Sequence, residues 1–490
     1  MMKKFFEKHD LVKIALGMII LSLILTWIIP QGYFNAGELV KNDITRIGTF
    51  DLFTYGLLGM YYFTVLVTFL FVLGGFYQFL SKLGAYQKLT DSIAKKIKGK
   101  EIIFSLIVSF VFAALASMVN EYFVLIAFMP FIVTVCTKSN MDKISTFVTT
   151  FGSLLVGMLG STISTKIVGM NVQYLNSSYT DNLLEKIILF VVAFIIYSVF
   201  NVCHMRKIFV SNKESKKKAK NSTKKKASKK EIIVKEVKVD GEDIFANNEK
   251  SSEKSSIIPL VIVGVLAIIV TIMAYIPWMT VFKLDWFTKA LEWTKTTQLF
   301  GVPVFSYILG TVNEFGSWDI FGVQIVMLLS VIVLAICYKQ GLNSIIESFA
   351  EGFKKISKVV VILLLVYVVL EFAVMYPVIP TILDKILGAK FNVFTTAASG
   401  LIASLFTCEY QYTINLVYSY FATTYASNLS VVSFILQAIF GLVSFFGPAS
   451  AMLFVGLSYT DIKYKDWMKY IWKFILAMLV VIIVMAFIIA

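Results

Sequence analysis

Charged residues are scarce here: they make up 15% of 490 residues, against 58% hydrophobic ones. A soluble chain of this length needs far more polar surface, so a soluble globular protein is excluded. Histidine is nearly absent. His9 and His204 are far apart and have no metal-ligand spacing. Without a His-Glu-x-x-His pair, a metalloprotease of that kind is ruled out. Paired aspartates inside apolar runs are also lacking, since most aspartates stand at the ends of runs; an intramembrane aspartyl enzyme loses its basis. The four cysteines, Cys136, Cys203, Cys337 and Cys408, are too scattered for a disulfide framework and read as small apolar fillers. A Gly-x-x-x-x-Gly-Lys-Ser/Thr loop is missing, which excludes an ATP-driven pump built on that loop. The first apolar run, from Leu11, has no small-residue cleavage site after it and is read as a retained span, not a signal peptide.

What the chain does have is apolar runs along nearly its whole length. A bilayer-crossing helix needs about 20 such residues, and backbone in lipid must satisfy its own hydrogen bonds, so the runs are helices or packed hairpins. The expected class is an all-α, multi-pass protein of the inner membrane. Lys3, Lys4 and Lys8 before the first span, Leu11 to Ile29, put the N-terminus in the cytoplasm. A polar external loop, Gln31 to Thr49, and a second span, Met60 to Leu80, follow. The amphipathic Lys82 to Lys100 then lies along the inner surface. Much of the net charge of +15 sits in a Lys-rich linker, 206–256. Its composition predicts disorder, and it reads as a solvated cytoplasmic linker, not a nucleic-acid or headgroup site. The second half runs from Ile257 to the end, with an external segment from Trp278 to Trp318, an amphipathic Ser344 to Lys358, a span from Val359 to Tyr376 and a C-terminus outside.

Two apolar blocks are broken at their centres by an acid. The block at 101–137 is interrupted by Asn120-Glu121, and the block at 392–425 by Thr407-Cys408-Glu409. Each fits two short spans or one re-entrant hairpin. Each is followed by a long run with a helix-breaking cluster. The first, 144–170, carries Gly157, Gly160, Ser161, Thr162, Ser164 and Thr165; the second, 430–460, carries Gly447-Pro448-Ala449-Ser450. The order repeats: Leu83-Gly84-Ala85 and Leu387-Gly388-Ala389 precede the two blocks, and Ala116-Ser117 and Ala403-Ser404 precede the two acids. One extra crossing before the second copy inverts it. The expected plan is an inverted repeat of 1–205 and 257–490, with two re-entrant hairpins, two broken helices and binding near the midplane.

On these residues the chain resembles the ion-transporter superfamily. The Asn120-Glu121 tip followed by Pro130, the Gly352-Phe353 segment, and the ending from Gly447-Pro448-Ala449-Ser450 to Trp467-Met468-Lys469-Tyr470 are similar to the YfcC-like carriers. These are grouped with the anaerobic C4-dicarboxylate carriers and the aminobenzoyl-glutamate transporters. The resemblance implies a scaffold domain plus a moving transport domain, a homodimer and alternating access. The second tip departs from the pattern: Thr407-Cys408-Glu409-Tyr410 stands where related carriers have small Ser/Gly-rich residues.

Ionisable groups inside a membrane are functional candidates by default. Glu121 and Glu409, at equivalent tips, would put two carboxylates in one site able to bind an ammonium group, Na⁺ or a proton; the bland reading is a helix cap. Asn120, Ser161, Thr162 and Ser164 can ligate Na⁺ or hold a carboxylate, or simply pack helices. Ser450 and Thr407 are their counterparts in the second copy. Lys166 can pair with Glu121, attract a carboxylate, or snorkel to the interface. Glu371, central in its span, can relay protons or pair with a neighbouring helix. No cofactor is expected beyond Na⁺ or H⁺ as coupling ion. The expected function is secondary transport of a small organic solute, an amino acid, peptide or related carboxylate. A C4-dicarboxylate carrier or a channel is the alternative. A channel needs a continuous polar path, whereas the polar breaks here lie at two levels only.

Overall fold

A computed structural model describes residues 10–225, 243–246 and 255–490. His9 and the lysines at 3, 4 and 8 lie outside the described residues, as do the linker residues 226–242 and 247–254. The chain is nearly all helix, and nine helices among the described residues are long and apolar enough to cross a membrane.

The helix Asp10–Ile28 stops before Pro30, which cannot donate to a further turn. The loop beyond it is not irregular. Gly32–Asn35 and Glu38–Lys41 pair as an antiparallel hairpin around Ala36-Gly37, both with positive φ. Such a two-residue turn matches the twist of the strands. The span expected near Met60 to Leu80 is the helix Thr64–Lys82, and a separate helix, Thr49–Tyr62, precedes it across a break at Phe63. Conversely, the amphipathic Ser344 to Lys358 and the span after it are one helix, Leu342–Met375. No proline interrupts it between those two parts, so the helical ladder runs on. The helix that opens at Leu183 likewise continues to Lys225, so the disorder expected from residue 206 does not describe the first part of the linker. Its residues there are mostly Lys, Ser, Ala and Asn, and no proline stops the helical ladder.

The long helices Thr64–Lys82 and Leu342–Met375 form the most extensive packing in the molecule. They cross at glycine: a Cβ on Gly352 would stand 2.2 Å from the Gly74 carbonyl oxygen, and one on Gly75 would enter the Phe349 ring. Helices in lipid gain no hydrophobic drive from one another and depend on such close approach.

Both acid-centred blocks are broken helices. Glu101–Met118 ends at an extended Val119, and a 3-10 turn, Tyr122–Phe128, resumes after an extended Glu121 before the helix Met129–Lys138. Val393–Phe406 ends at an extended Thr407, and Tyr410–Asn415 resumes after an extended Glu409. At 14 residues, Val393–Phe406 spans only about 21 Å at roughly 1.5 Å per residue, short of a bilayer core of about 30 Å. The run at 144–170 is three helices, Lys143–Thr149, Phe151–Leu159 and Val168–Leu175, with irregular backbone at 160–167. The run at 430–460 is two, Leu429–Val443 and Ala451–Tyr459. The first helix of each block lies against a broken helix: Glu101–Met118 on Phe151–Leu159, and Val393–Phe406 on Leu429–Val443.

At the Lys-rich end, Asp142 caps Lys143–Thr149 by accepting from the amides of Ile144 (3.2 Å) and Ser145 (3.3 Å). His204 bonds it from the helix Leu183–Lys225 at 3.0 Å. Burial pushes the Asp142 carboxyl up, but the bonds to His204 and Ser145 outweigh it and hold the carboxyl below its usual range.

Gly352→Val forces the crossing apart and lowers stability by about 1–3 kcal/mol or more, seen as a lower melting temperature in detergent. Gly264→Ala, where an added Cβ meets nothing within 4 Å, leaves the melting temperature unchanged or raises it. The carboxylate of Asp142, depressed in the folded state, adds stability present above its unfolded value of about 3.9 and lost as pH falls through the lower folded value. The melting temperature of the native protein therefore drops more steeply in that window than that of Asp142→Asn.

Candidate functional site

The two breaks meet at one lysine. Lys166, in the irregular stretch 160–167, places its Nζ 3.0 Å from Oε2 of Glu121 and 2.8 Å from Oε2 of Glu409. All three side chains are largely shielded. The second oxygen of each glutamate is also engaged. Oε1 of Glu121 accepts from the Phe123 amide at 3.1 Å, and Oε1 of Glu409 accepts from the Tyr367 hydroxyl at 3.0 Å. Glu121 thus serves as a cap with one oxygen and as an ion-pair partner with the other. Glu409 makes no cap, so its position is held by Tyr367 and Lys166. With all three groups ionised, two carboxylates and one ammonium leave one negative charge.

The breaks reach this position for local reasons. In the first block the backbone leaves the helix at Val119, so the Ser117 and Val119 carbonyls have no helical partners. The irregular stretch satisfies them: Ser164 Oγ donates to the Val119 carbonyl at 2.6 Å, and the amide and hydroxyl of Thr162 donate to Ser117 at 3.0 and 3.2 Å. Ser164 and Thr162 therefore hold the hairpin tip and spend their hydroxyl protons on backbone. Gly157 brings the two elements together, since a Cβ there would lie 2.3 Å from the Ala113 carbonyl oxygen. Thr407 does the same work in the second tip, donating to Ala403 and pairing with Thr413 at 2.5 Å.

The other sequence candidates separate. Asn120 turns away from Lys166: its amide donates to the Tyr275 carbonyl at 2.8 Å and its Nδ2 to the Gly316 carbonyl at 3.1 Å. Its Oδ1 is buried without a partner. Ser450 caps Ala451–Tyr459, accepting from Leu453 and donating to Ser444 at 2.9 Å, the bland role. Ser161 has a buried hydroxyl without a partner, while its carbonyl accepts from Gln437 at 3.2 Å. Glu371 is buried in the helix Leu342–Met375, with Gly59 opposite. Among the described residues it makes no hydrogen bond or ion pair.

Several residues at the site escaped the sequence reading. Tyr367 holds Glu409. Tyr122, beside Glu121 in the chain, is fully buried with an unpartnered hydroxyl. Behind the second tip a polar chain runs from Tyr410 through Asn171 (2.5 Å) to Gln437 (3.0 Å) and on to the Ser161 carbonyl. It ties the second hairpin to both broken helices. Gln437 carried a signal, being the single amide in the apolar Leu429–Val443. Asn171, with Gln173 two residues on, did not, and neither did the tyrosines, because 23 tyrosines offer no way to choose among them.

A family model described as a C4-dicarboxylate anaerobic carrier, DcuC, matches residues 9–490. No curated protein matches. Among solved structures, the YdaH transporter of Alcanivorax borkumensis is similar with a TM-score of 0.38 at 11% identity, covering 97% of this chain and 96% of that one. MtrF of Neisseria gonorrhoeae, described among antimetabolite efflux pumps, is similar with a TM-score of 0.37 at 11% identity, covering 97% and 94%.

Removing the lysine tests the charge balance. Lys166→Met leaves two shielded carboxylates facing each other and lowers stability by about 3–5 kcal/mol, measured by thermal melting in detergent. Adding Glu409→Gln removes the repulsion and recovers most of the loss. Equal melting temperatures for the single and double variants would show that Lys166 does not balance the pair.

Proposed function

Because this chain belongs to the C4-dicarboxylate anaerobic carrier family, a family of membrane transporters, we propose that it is a secondary carrier for a small solute bearing both an amine and a carboxylate, an amino acid or short peptide. The observation that supports this reading is the sharing of the Lys166 ammonium between Glu121 and Glu409. A solute ammonium can take the place of Lys166 on one glutamate. The freed lysine is then available to the solute's carboxylate. The exchange conserves charge: one ion pair opens and two form, with no bare charge left in a shielded site. The irregular backbone around both tips is tolerated where it lines such a site.

The family's description makes a free C4-dicarboxylate the rival solute. Such a dianion would enter a trio that already carries one negative charge, and the single cation there is already shared by two acids. It would have to bring compensating cations with it. An amino-bearing C4-dicarboxylate satisfies both readings, since its amine can engage a glutamate.

For the coupling ion, the proposal is a proton at Glu371. An unpaired carboxylate within a membrane helix is costly when charged, and Glu371 faces Gly59 with no cation beside it in the described residues. Two broken helices that shift together against the Thr64–Lys82 and Leu342–Met375 pair would expose the trio to each side in turn.

Counter-flow in proteoliposomes tests the reading. Vesicles loaded with aspartate or a neutral amino acid should accumulate the labelled solute, and succinate should drive counter-flow poorly. Strong succinate counter-flow with no response to any amine-bearing solute would overturn the proposed solute class. Glu121→Gln and Glu409→Gln should each lower exchange by about a hundredfold or more, the loss of a shielded charge-assisted contact of at least roughly 2.7 kcal/mol, with monodisperse folded protein. Wild-type exchange in both would remove the shared-site mechanism. Glu371→Gln should keep solute exchange while abolishing the response to a pH gradient.

A further inference from the structure

Three residues of the basic linker, Asp243 to Phe245, pack onto the body of the protein, with Asp243 and Ile244 partly buried and Phe245 fully so. Phe245 is 3% exposed. Its ring stacks on Tyr77, 6.1 Å between centroids at 26°, and lies 6.2 Å from the Tyr459 ring. Asp243 accepts from Thr134 Oγ1 at 2.6 Å and turns the segment back by accepting from the Phe245 amide at 3.0 Å. Ile244 packs against the same core. The ammonium groups of Lys138 and Lys355 are near enough to act on the Asp243 charge, and burial raises its carboxyl above the ordinary value despite them.

The receiving residues belong to three different elements. Tyr77 is on Thr64–Lys82, Thr134 on the returning arm of the first hairpin, and Tyr459 at the end of Ala451–Tyr459. Tyr77 already donates its hydroxyl to the Ala127 carbonyl at 2.7 Å, and Tyr86 lies 3.3 Å from Thr134. The ring contacts are thus set by the protein's own bonds, while the Tyr459 hydroxyl stays buried without a partner. Aromatic walls with a hydroxyl donor and two cations at the rim suit an acidic residue followed by an aromatic one.

We propose that Tyr77, Thr134 and Tyr459 form a binding pocket for an acidic–aromatic peptide, and that its resident ligand is this chain's own Asp243–Phe245, which latches the first hairpin and the second broken helix to the helix Thr64–Lys82. Displacement of Met129–Lys138 against that helix must break the Thr134–Asp243 bond or draw Phe245 off Tyr77, and displacement of Ala451–Tyr459 must draw Phe245 off one tyrosine or the other. The latch sits at the Lys-rich ends of its helices, the face that the lysine distribution assigns to the cytoplasm. It acts on movement, whatever the solute.

The test uses the full chain in nanodiscs with Asp243, Ile244 and Phe245 all changed to Ser, and a fluorescent peptide of residues 239–250. The peptide should bind the triple variant saturably and about tenfold or more tighter than the native protein, whose pocket is filled. A peptide carrying Phe245→Ser should not bind. Hydrogen exchange within 129–138 and 451–459 should be about tenfold faster in the triple variant, and fall back when the native peptide is added. Absence of peptide binding to the triple variant overturns the pocket. Binding that leaves hydrogen exchange unchanged overturns the latch. Both readouts are made without solute, so they stand or fall separately from the transport reading.

Discussion

One ammonium group stands between two acids that would otherwise repel each other. The side chains of Glu121 and Glu409 come from broken helical blocks separated by most of the chain, and each stands at an extended residue so that its carboxylate can reach the same point. Without Lys166 between them, that convergence would place like charges together in a poorly hydrated interior, where such charges are expensive. The hydroxyls of Ser164, Thr162, Thr407 and Tyr367 support this arrangement indirectly. They satisfy backbone released at the breaks or hold the second oxygen of Glu409.

Close backbone contact provides the frame. The Gly74–Gly352 crossing and the approach of Gly157 to Ala113 bring helices together without side chains between them. In lipid that proximity replaces the hydrophobic drive that water would supply. The polar chain Tyr410–Asn171–Gln437 adds direction to it. Together they make the second hairpin and the two broken helices a connected unit. The proposed carrier cycle requires such a unit, and the linker segment at Phe245 touches one member of it, Ala451–Tyr459, through Tyr459.

Much of this was legible in the residues. Apolar runs of helical length, an acid at the centre of two of them, and Gly- or Pro-marked breaks after each predicted a helical membrane protein with interrupted elements. Glu121, Glu409 and Lys166 stood out because a charge in lipid needs a reason. The errors have physical causes. The Gln31 to Thr49 loop contains a β-hairpin because Ala36-Gly37 forms a tight turn, a signal weaker than the surrounding polarity. The break at Phe63 has no proline or glycine to mark it. The helix Leu342–Met375 joins an amphipathic and an apolar part, and hydropathy divides what hydrogen bonding keeps continuous.

Composition and spacing by themselves determined that this chain lives in a membrane, that it is helical, and that its helices break near two glutamates. Those properties depend on local hydrophobicity and backbone chemistry. Tertiary structure alone decided which candidates act together. It joined Lys166 to both glutamates, sent Asn120 to the Gly316 carbonyl, made Ser450 a cap, brought Tyr367 to Glu409 and seated Phe245 between two tyrosines. Each of these outcomes depends on where helices cross, and a crossing is set by contacts between residues far apart in the chain, which no local pattern records.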